Sequence, residues 1–448
     1  MTLDYNLILA VVGGIAILLT LILVFRIQAF ISLLIASIAV GLFAGMNPTE
    51  VIKTMQEGMG NTLGFVAMVV GLGAMFGAIL EHSGGAKALA NFLLNKFGEA
   101  RAHWALMLTG FFVAIPIFFD VAFIILIPLV YAIQRKTGKS LLLYAIPLLA
   151  GLACTHAFIP PTPGPVAVAD ILGADLGWVI LFGAIAGLPA AIVSGPIFAK
   201  YIAGKIKVSA PILEEVDEIE ESNVSVGLII AIVTIPIVLI LANTFLNSPL
   251  VPADLLSNGA RDWLKMIGHP FTALIIANLV AWYMLGLRKG FTKEKLLEIT
   301  TKSMGPAGII ILLTGAGGVF KQMLVNTGTG EMLARYFADA GVSLIVFSFI
   351  AAGLIRVLQG SATVAMITAA GITAPLITEA VDDMHKAMIV VVIAAGASMM
   401  SHVNDSGFWL VSKYLGITEK QTFQSWTMMT TLLAFTGFVT IWILSIFL

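Results

Sequence analysis

Apolar positions along this chain come in long runs separated by short polar stretches. Runs near the length of a membrane-crossing helix, about 20 residues, cover 5–25, 29–45, 63–80, 177–203, 224–246, 269–287, 305–325 and 423–447. Four further runs do not read as one plain helix. Those at 104–134, 140–173 and 342–373 are too long for a single crossing, and 386–415 carries a polar interruption. Reading 104–134 and 342–373 as re-entrant hairpins, and 140–173 and 386–415 as single broken helices, leaves ten full crossings. The pattern predicts an all-α polytopic membrane protein. The first run, Tyr5 to Phe25, lacks the basic flank and small-residue cleavage site of a signal peptide and is expected to be a retained helix.

Composition agrees with the pattern. Of 448 residues, 59% are hydrophobic and 11% are charged, with a mean hydropathy of +1.02. A soluble domain carries about 25% charged residues, so a large soluble enzyme and a disordered chain are both excluded. A net charge of −1 offers no general attraction for nucleic acid. The single cysteine, Cys154, cannot form an internal disulfide. With the topology above, 17 of the 24 Lys and Arg residues fall on one face, six on the other, and Arg356 inside a hairpin. Loops rich in Lys and Arg stay cytoplasmic, so both termini are expected to face outward.

The two halves resemble each other at an offset near 244. The stretch Gly71–Gly84 lines up with Gly315–Gly328, Thr155-His156 with Ser401-His402, and Leu172-Gly173 with Leu415-Gly416. Five crossings and one hairpin per half make the second copy inverted. The expected units are a first repeat over 1–203, an acidic cytoplasmic linker over 204–223 and a second repeat over 224–448. The linker holds six carboxylates between Glu214 and Glu221 and reads as a solvated connector. Inverted repeats with interrupted helices mark secondary transporters, with the site near the midplane. The pairs Gly73/Gly77 and Gly183/Gly187 read as close helix-packing positions.

Four polar interruptions carry the candidate chemistry, at equivalent places in the halves. The first is the hairpin tip around Pro116 and Asp120. An aspartate at the bilayer centre costs about 2.5–3.5 kcal/mol, so Asp120 must face a cavity, pair with a cation or hold a proton. The second runs from Thr155 and His156 through Pro160, Pro161, Pro163 and Pro165. These prolines end the helix and free backbone groups at membrane depth, tolerated only inside protein or along a cavity. The third is Arg356-Val-Leu-Gln-Gly360-Ser361-Ala-Thr363. Gly360 permits a tight turn, Ser361 and Thr363 supply hydroxyls, the next helix offers an amide-rich N-terminus, and Arg356 supplies a planar fork for a carboxylate. The fourth is Ser401-His402-Val-Asn404-Asp405-Ser-Gly407. Arg356, Gly360, Ser361, Thr363, Thr155, His156, Ser401, His402 and Asn404 are the candidate substrate contacts. Asp120, Asp405 and His156 are the candidates for proton coupling. Neither a metal-ligand motif nor a nucleotide-binding glycine pattern occurs, so no metal and no cofactor is expected, and the coupling ion is expected to be the proton.

The stretches THAFIPPTPGP, RVLQGSATVAMITAAGI and SHVNDSGFWLV, at this spacing, resemble the gluconate permease family over nearly the whole chain. The resemblance implies a bacterial inner-membrane proton symporter for gluconate or a related hydroxy acid. It also implies paired hairpins, two broken helices and a homodimeric elevator scaffold in the lipid bilayer. Several family members carry Glu where this chain has Asp120, while Arg356 fits the sugar-acid members better than the D-serine type. A sodium-coupled carrier, a passive channel and an intramembrane enzyme built on Asp120 and Asp405 are the competing readings. No nucleophile pairing supports the last.

Overall fold

A computed structural model describes residues 5–211, 224–247, 251, 257–328, 343–378, 381–403 and 405–448. Most of the acidic linker and Asn404 lie outside the described residues. All regular structure among the described residues is helical. The first half contains α1 (Tyr5–Leu23), α2 (Ala29–Phe43), α3 (Pro48–His82), α4 (Gly85–Phe97), α5 (Ala102–Val113), α6 (Phe119–Thr137), α7 (Leu142–Phe158), α8 (Pro163–Leu172) and α9 (Leu176–Lys205). The second contains α10 (Val226–Asn247), α11 (Asn258–Gly268), α12 (Pro270–Lys289), α13 (Lys293–Asn326), α14 (Leu344–Gln359), α15 (Ala362–Thr373), α16 (Asp383–Ala397), α17 (Ser406–Leu415) and α18 (Glu419–Phe447). Seven segments among the described residues are long and apolar enough to cross a membrane, with shorter apolar helices beside them.

Helices α3 and α13 run 35 and 34 residues. At 1.5 Å per residue each is about 50 Å long, well beyond the roughly 30 Å of a hydrocarbon core. Their apolar parts match the runs at 63–80 and 305–325. Their polar first halves extend the helix toward the N-terminus because each start is capped. Asn47 and Glu50 form a capping box before Pro48, and the Thr292 hydroxyl accepts from the Lys295 amide at 3.1 Å. Both end at a left-handed glycine, Gly84 (φ 74°) and Gly328 (φ 70°), at matched positions of the sequence repeat. The two helices pack on each other over much of their length.

At the centre lie α7 and α16, the first pieces of the two broken helices. Apart from the polar first turn of α16, Asp383–Lys386, both are apolar on every face and largely buried. Each crosses a neighbour through a pair of glycines. A Cβ on Gly151 of α7 would lie 2.2 Å from the Met107 carbonyl oxygen of α5, and one on Gly110 2.4 Å from that of Leu148. In the second half, Gly396 of α16 would meet the Phe349 carbonyl oxygen of α14 at 2.4 Å. Its partner there is Gly353, whose amide nitrogen lies 3.1 Å from the same Cβ. The sequence's packing glycines behave likewise, since Gly77 abuts the Pro116 carbonyl and Gly183 that of Phe158.

Contacts cross between the halves. Helix α15 packs on α8 and α6 on α17, so the returning arm of each helical hairpin meets the second piece of the other half's broken helix. The Tyr131 hydroxyl of α6 donates to the Tyr414 carbonyl of α17.

Candidate functional site

Both long apolar runs read as hairpins are two helices joined by a tight turn. The first turn leads from α5 through Pro116 to Phe118, and α6 begins at Phe119. Asp120 therefore sits in the first turn of α6, where the free amides and positive dipole end favour a carboxylate. Its side chain is exposed, and no cation among the described residues lies within ion-pair distance. The second turn is made by Gly360, whose φ of 92° ends α14 with its amide bonded to the Arg356 carbonyl at 2.9 Å. Ser361 then caps α15 by accepting from the Val364 amide at 3.4 Å, the role its place in the sequence predicts. Thr363 is half-buried in the first turn of α15.

The two helix breaks differ in build. In the first, α7 ends at Phe158, the chain passes through Ile159-Pro160-Pro161-Thr162, and α8 restarts on Pro163 at its first position. The buried Thr155 hydroxyl and His156 Nδ1 have no hydrogen-bond partner among the described residues. In the second, α16 ends at Ala397 and Met400 adopts a positive φ of 48°. Asp405 caps α17, its Oδ1 accepting from the Gly407 amide at 3.2 Å. His402 donates from Nε2 to the Val357 carbonyl at 2.9 Å.

An ion pair ties the second hairpin to the second break. Arg356, 4% exposed, donates from Nη2 to Asp405 Oδ2 at 2.5 Å. The acid that answers Arg356 is Asp405 and not Asp120. Ser401 donates to the same carboxylate oxygen. Trp426 Nε1 in turn donates to Ser401 Oγ at 2.6 Å, and the Thr427 hydroxyl donates to the Ser401 carbonyl at 2.5 Å. Arg356 keeps Nε and Nη1 buried and without a partner among the described residues. A buried guanidinium with two unclaimed nitrogens is costly unless an anion completes it.

The first hairpin tip closes on this network. Phe119 packs on Trp426 with ring centroids 5.5 Å apart, Phe118 meets His156 edge-on at 6.1 Å, and Asp120 lies within electrostatic reach of Asp405. Beside the second tip a cavity of about 810 Å³ is lined by Arg26, Gln28, Leu358, Gln359, Val364 and Val403.

Two features escaped the sequence reading. Trp426 lies in an ordinary apolar run and reaches Ser401 through a π turn at Phe423–Thr427, a local widening common at functional sites. Lys321, one of the six basic residues the topology assigns to the outer face, sits inside α13 and shares its electrostatic surroundings with Asp170 of α8.

The family model for GntP family permeases matches residues 5–447. The chain is a GntP family permease. It is a multi-pass transport protein and not an enzyme. The permease is 41% identical over 430 residues to a gluconate permease of Pseudomonas aeruginosa, covering 95% of this chain and 94% of that protein. It is 40% identical over 439 residues to a low-affinity gluconate transporter of Escherichia coli, covering 96% of each. An L-idonate transporter of the same organism is 36% identical over 428 residues, with 95% and 96% covered. Two solved structures share the permease's fold. The Alcanivorax borkumensis YdaH transporter has a TM-score of 0.64 at 12% identity, covering 93% of this chain and 98% of that one. Neisseria gonorrhoeae MtrF, of a class of antimetabolite efflux pumps, has a TM-score of 0.63 at 17% identity, covering 96% and 94%.

Proposed function

We propose that this permease is a secondary active symporter that carries gluconate or a closely related sugar acid inward across the bacterial inner membrane, coupled to protons. The observation that carries the reading is Arg356, buried between a hairpin turn and a helix break with two guanidinium nitrogens unclaimed among the described residues. Such a group selects a carboxylate. Hydroxyls of Ser361, Thr363 and Thr155, with His156, His402, Ser401, Asn404 and the Gly360 turn, supply the donors and acceptors a polyhydroxy chain needs. The relatives named for gluconate and L-idonate support the substrate class.

Asp120 is the leading proton carrier in this reading. It is exposed with no cation at ion-pair distance among the described residues, whereas Asp405 is held by Arg356 and Ser401. His156 serves as a relay beside the first hairpin tip. No cofactor takes part. The architecture we assign is two inverted repeats, 1–203 and 224–448, joined by the linker 204–223. Ten crossings, two re-entrant hairpins and two broken helices divide into scaffold and transport domains of a homodimeric elevator, with both termini outward. The matched ends of α3 and α13, the paired glycine crossings and the exchange of contacts between hairpins and broken helices support that assignment.

The test is uptake of labelled gluconate into proteoliposomes under an imposed inward proton gradient. Accumulation abolished by a protonophore is expected. Asp120→Asn is expected to bind gluconate and equilibrate it, but not to concentrate it. Accumulation that ignores the protonophore and follows a sodium gradient overturns the proton coupling. Single-channel currents with no accumulation overturn the carrier.

A further inference from the structure

A second cationic hollow lies away from the transport site, at the end of the molecule where α5 and α7 begin and α9 ends. This cleft, about 620 Å³, is lined by Lys139, Lys200, Lys207, Ser140, Ser209 and His103, with Glu99 at its rim. None of the three lysine ammonium groups has a hydrogen-bond or ion-pair partner among the described residues. Glu99 does not neutralise them, because it pairs with Lys136. Ser140 is already committed, donating to the Ile206 carbonyl at 2.8 Å and accepting from the Val208 amide at 3.3 Å.

Two further observations separate this cleft from an ordinary basic surface. His103, only 7% exposed, forms part of its wall, and its Nε2 is buried with no partner among the described residues. Lys200 and Lys139 both act electrostatically on that ring, so the charges converge on one spot instead of spreading over the face. Lysines anywhere on this face would satisfy the orientation rule. A concave set of three lysines around an orphaned imidazole is a site that lacks its anion among the described residues.

We propose that this cleft binds a phosphoryl group carried by a second ligand at the cytoplasmic face. Three ammonium groups more than neutralise a phosphate mono- or dianion, and Lys serves phosphate as a point charge without demanding the planar geometry Arg imposes. The ligand's phosphate comes either from an anionic lipid headgroup of the inner leaflet or from a soluble phosphate ester. Only the assignment of this end to the cytoplasm rests on the proposed orientation; binding itself does not.

Thermal unfolding of the full-length protein tests this, in detergent with phosphatidylcholine as the background lipid. One arm titrates glycerol 3-phosphate and the other adds phosphatidylglycerol. A rise in Tm with either probe, lost in the triple variant K139Q/K200Q/K207Q, supports the site. A response to glycerol 3-phosphate assigns a soluble ester, and a response to phosphatidylglycerol alone assigns the lipid. Ser209→Glu places a carboxylate in the same hollow without removing a lysine, and the same loss is expected. It decides the matter should the triple variant fail to fold. Equal Tm with and without both probes, or equal responses in wild type and Ser209→Glu, overturns the proposal. Gluconate uptake is read alongside, so a failure of the transport reading is seen separately.

Discussion

The two helix breaks occupy matched places in the chain and are built by opposite means. The first is imposed by prolines, which remove donors and end α7 with no side-chain network. It leaves the Thr155 hydroxyl and His156 Nδ1 without a partner among the described residues. The second has no proline and is held open by side chains: Asp405 caps α17, Ser401 and Arg356 grip Asp405, and Trp426 and Thr427 grip Ser401. A break made by prolines is set by the backbone. A break made by hydrogen bonds persists only while its charges are matched. The first therefore suits a fixed floor, and the second suits a part that answers to substrate or protonation.

The sharpest way to break this comparison is to remove one charge from the second break. Arg356→Gln and Asp405→Asn each leave a buried group unmatched, which costs about 3–5 kcal/mol. Both single variants should melt well below the wild type, and the double R356Q/D405N should recover much of the loss while transporting nothing. If the double melts as low as the singles, the pair does not hold the break. Next in size are the glycine crossings beneath the two breaks. Gly151→Ala and Gly396→Ala each drive a methyl into a backbone carbonyl, an overpacking cost of about 1–3 kcal/mol. Similar losses in Tm for both would show that the crossings are equivalent, and an unaffected variant would break that equivalence. The smallest expected effects sharpen the contrast most. Ser401→Ala removes a bonded hydroxyl and should cost about 1–3 kcal/mol, whereas Thr155→Val removes an orphaned one and should be nearly neutral. A stability loss for Thr155→Val as large as for Ser401→Ala would mean the first break is also held by its side chains.

The features the chain announces are those whose cause is local. Pro160 and Pro161 keep the break after α7 out of helix, Pro163 opens α8, and Gly360-Ser361 reads as a turn followed by a cap, so both hairpin turns and both breaks are visible in the residues themselves. The full reach of α3 and α13 is harder to see, because Lys53, Glu57, Lys295 and Glu298 make their first turns look like loop. The Asn47–Glu50 capping box was the signal available there. Long-range pairings are not legible at all. Arg356 and Asp405 lie 49 positions apart, and nothing local distinguishes Asp405 from Asp120 as the partner. Trp426 is hidden for a different reason. Its direction depends on one extra residue in a helical turn, and hydrophobic periodicity averages over such a defect.

The glycine crossings also have a mechanical consequence. Where α5 meets α7 and α14 meets α16, main chain touches main chain with no side chain between them to act as a bearing. Sliding one helix along the other would drive carbonyl oxygens over peptide planes, so each crossed pair behaves as a welded joint. Compliance is left to the few residues outside helix at the two turns and the two breaks. A load applied at one end of either strut would arrive at those turns almost undamped, and the candidate ligands sit on them.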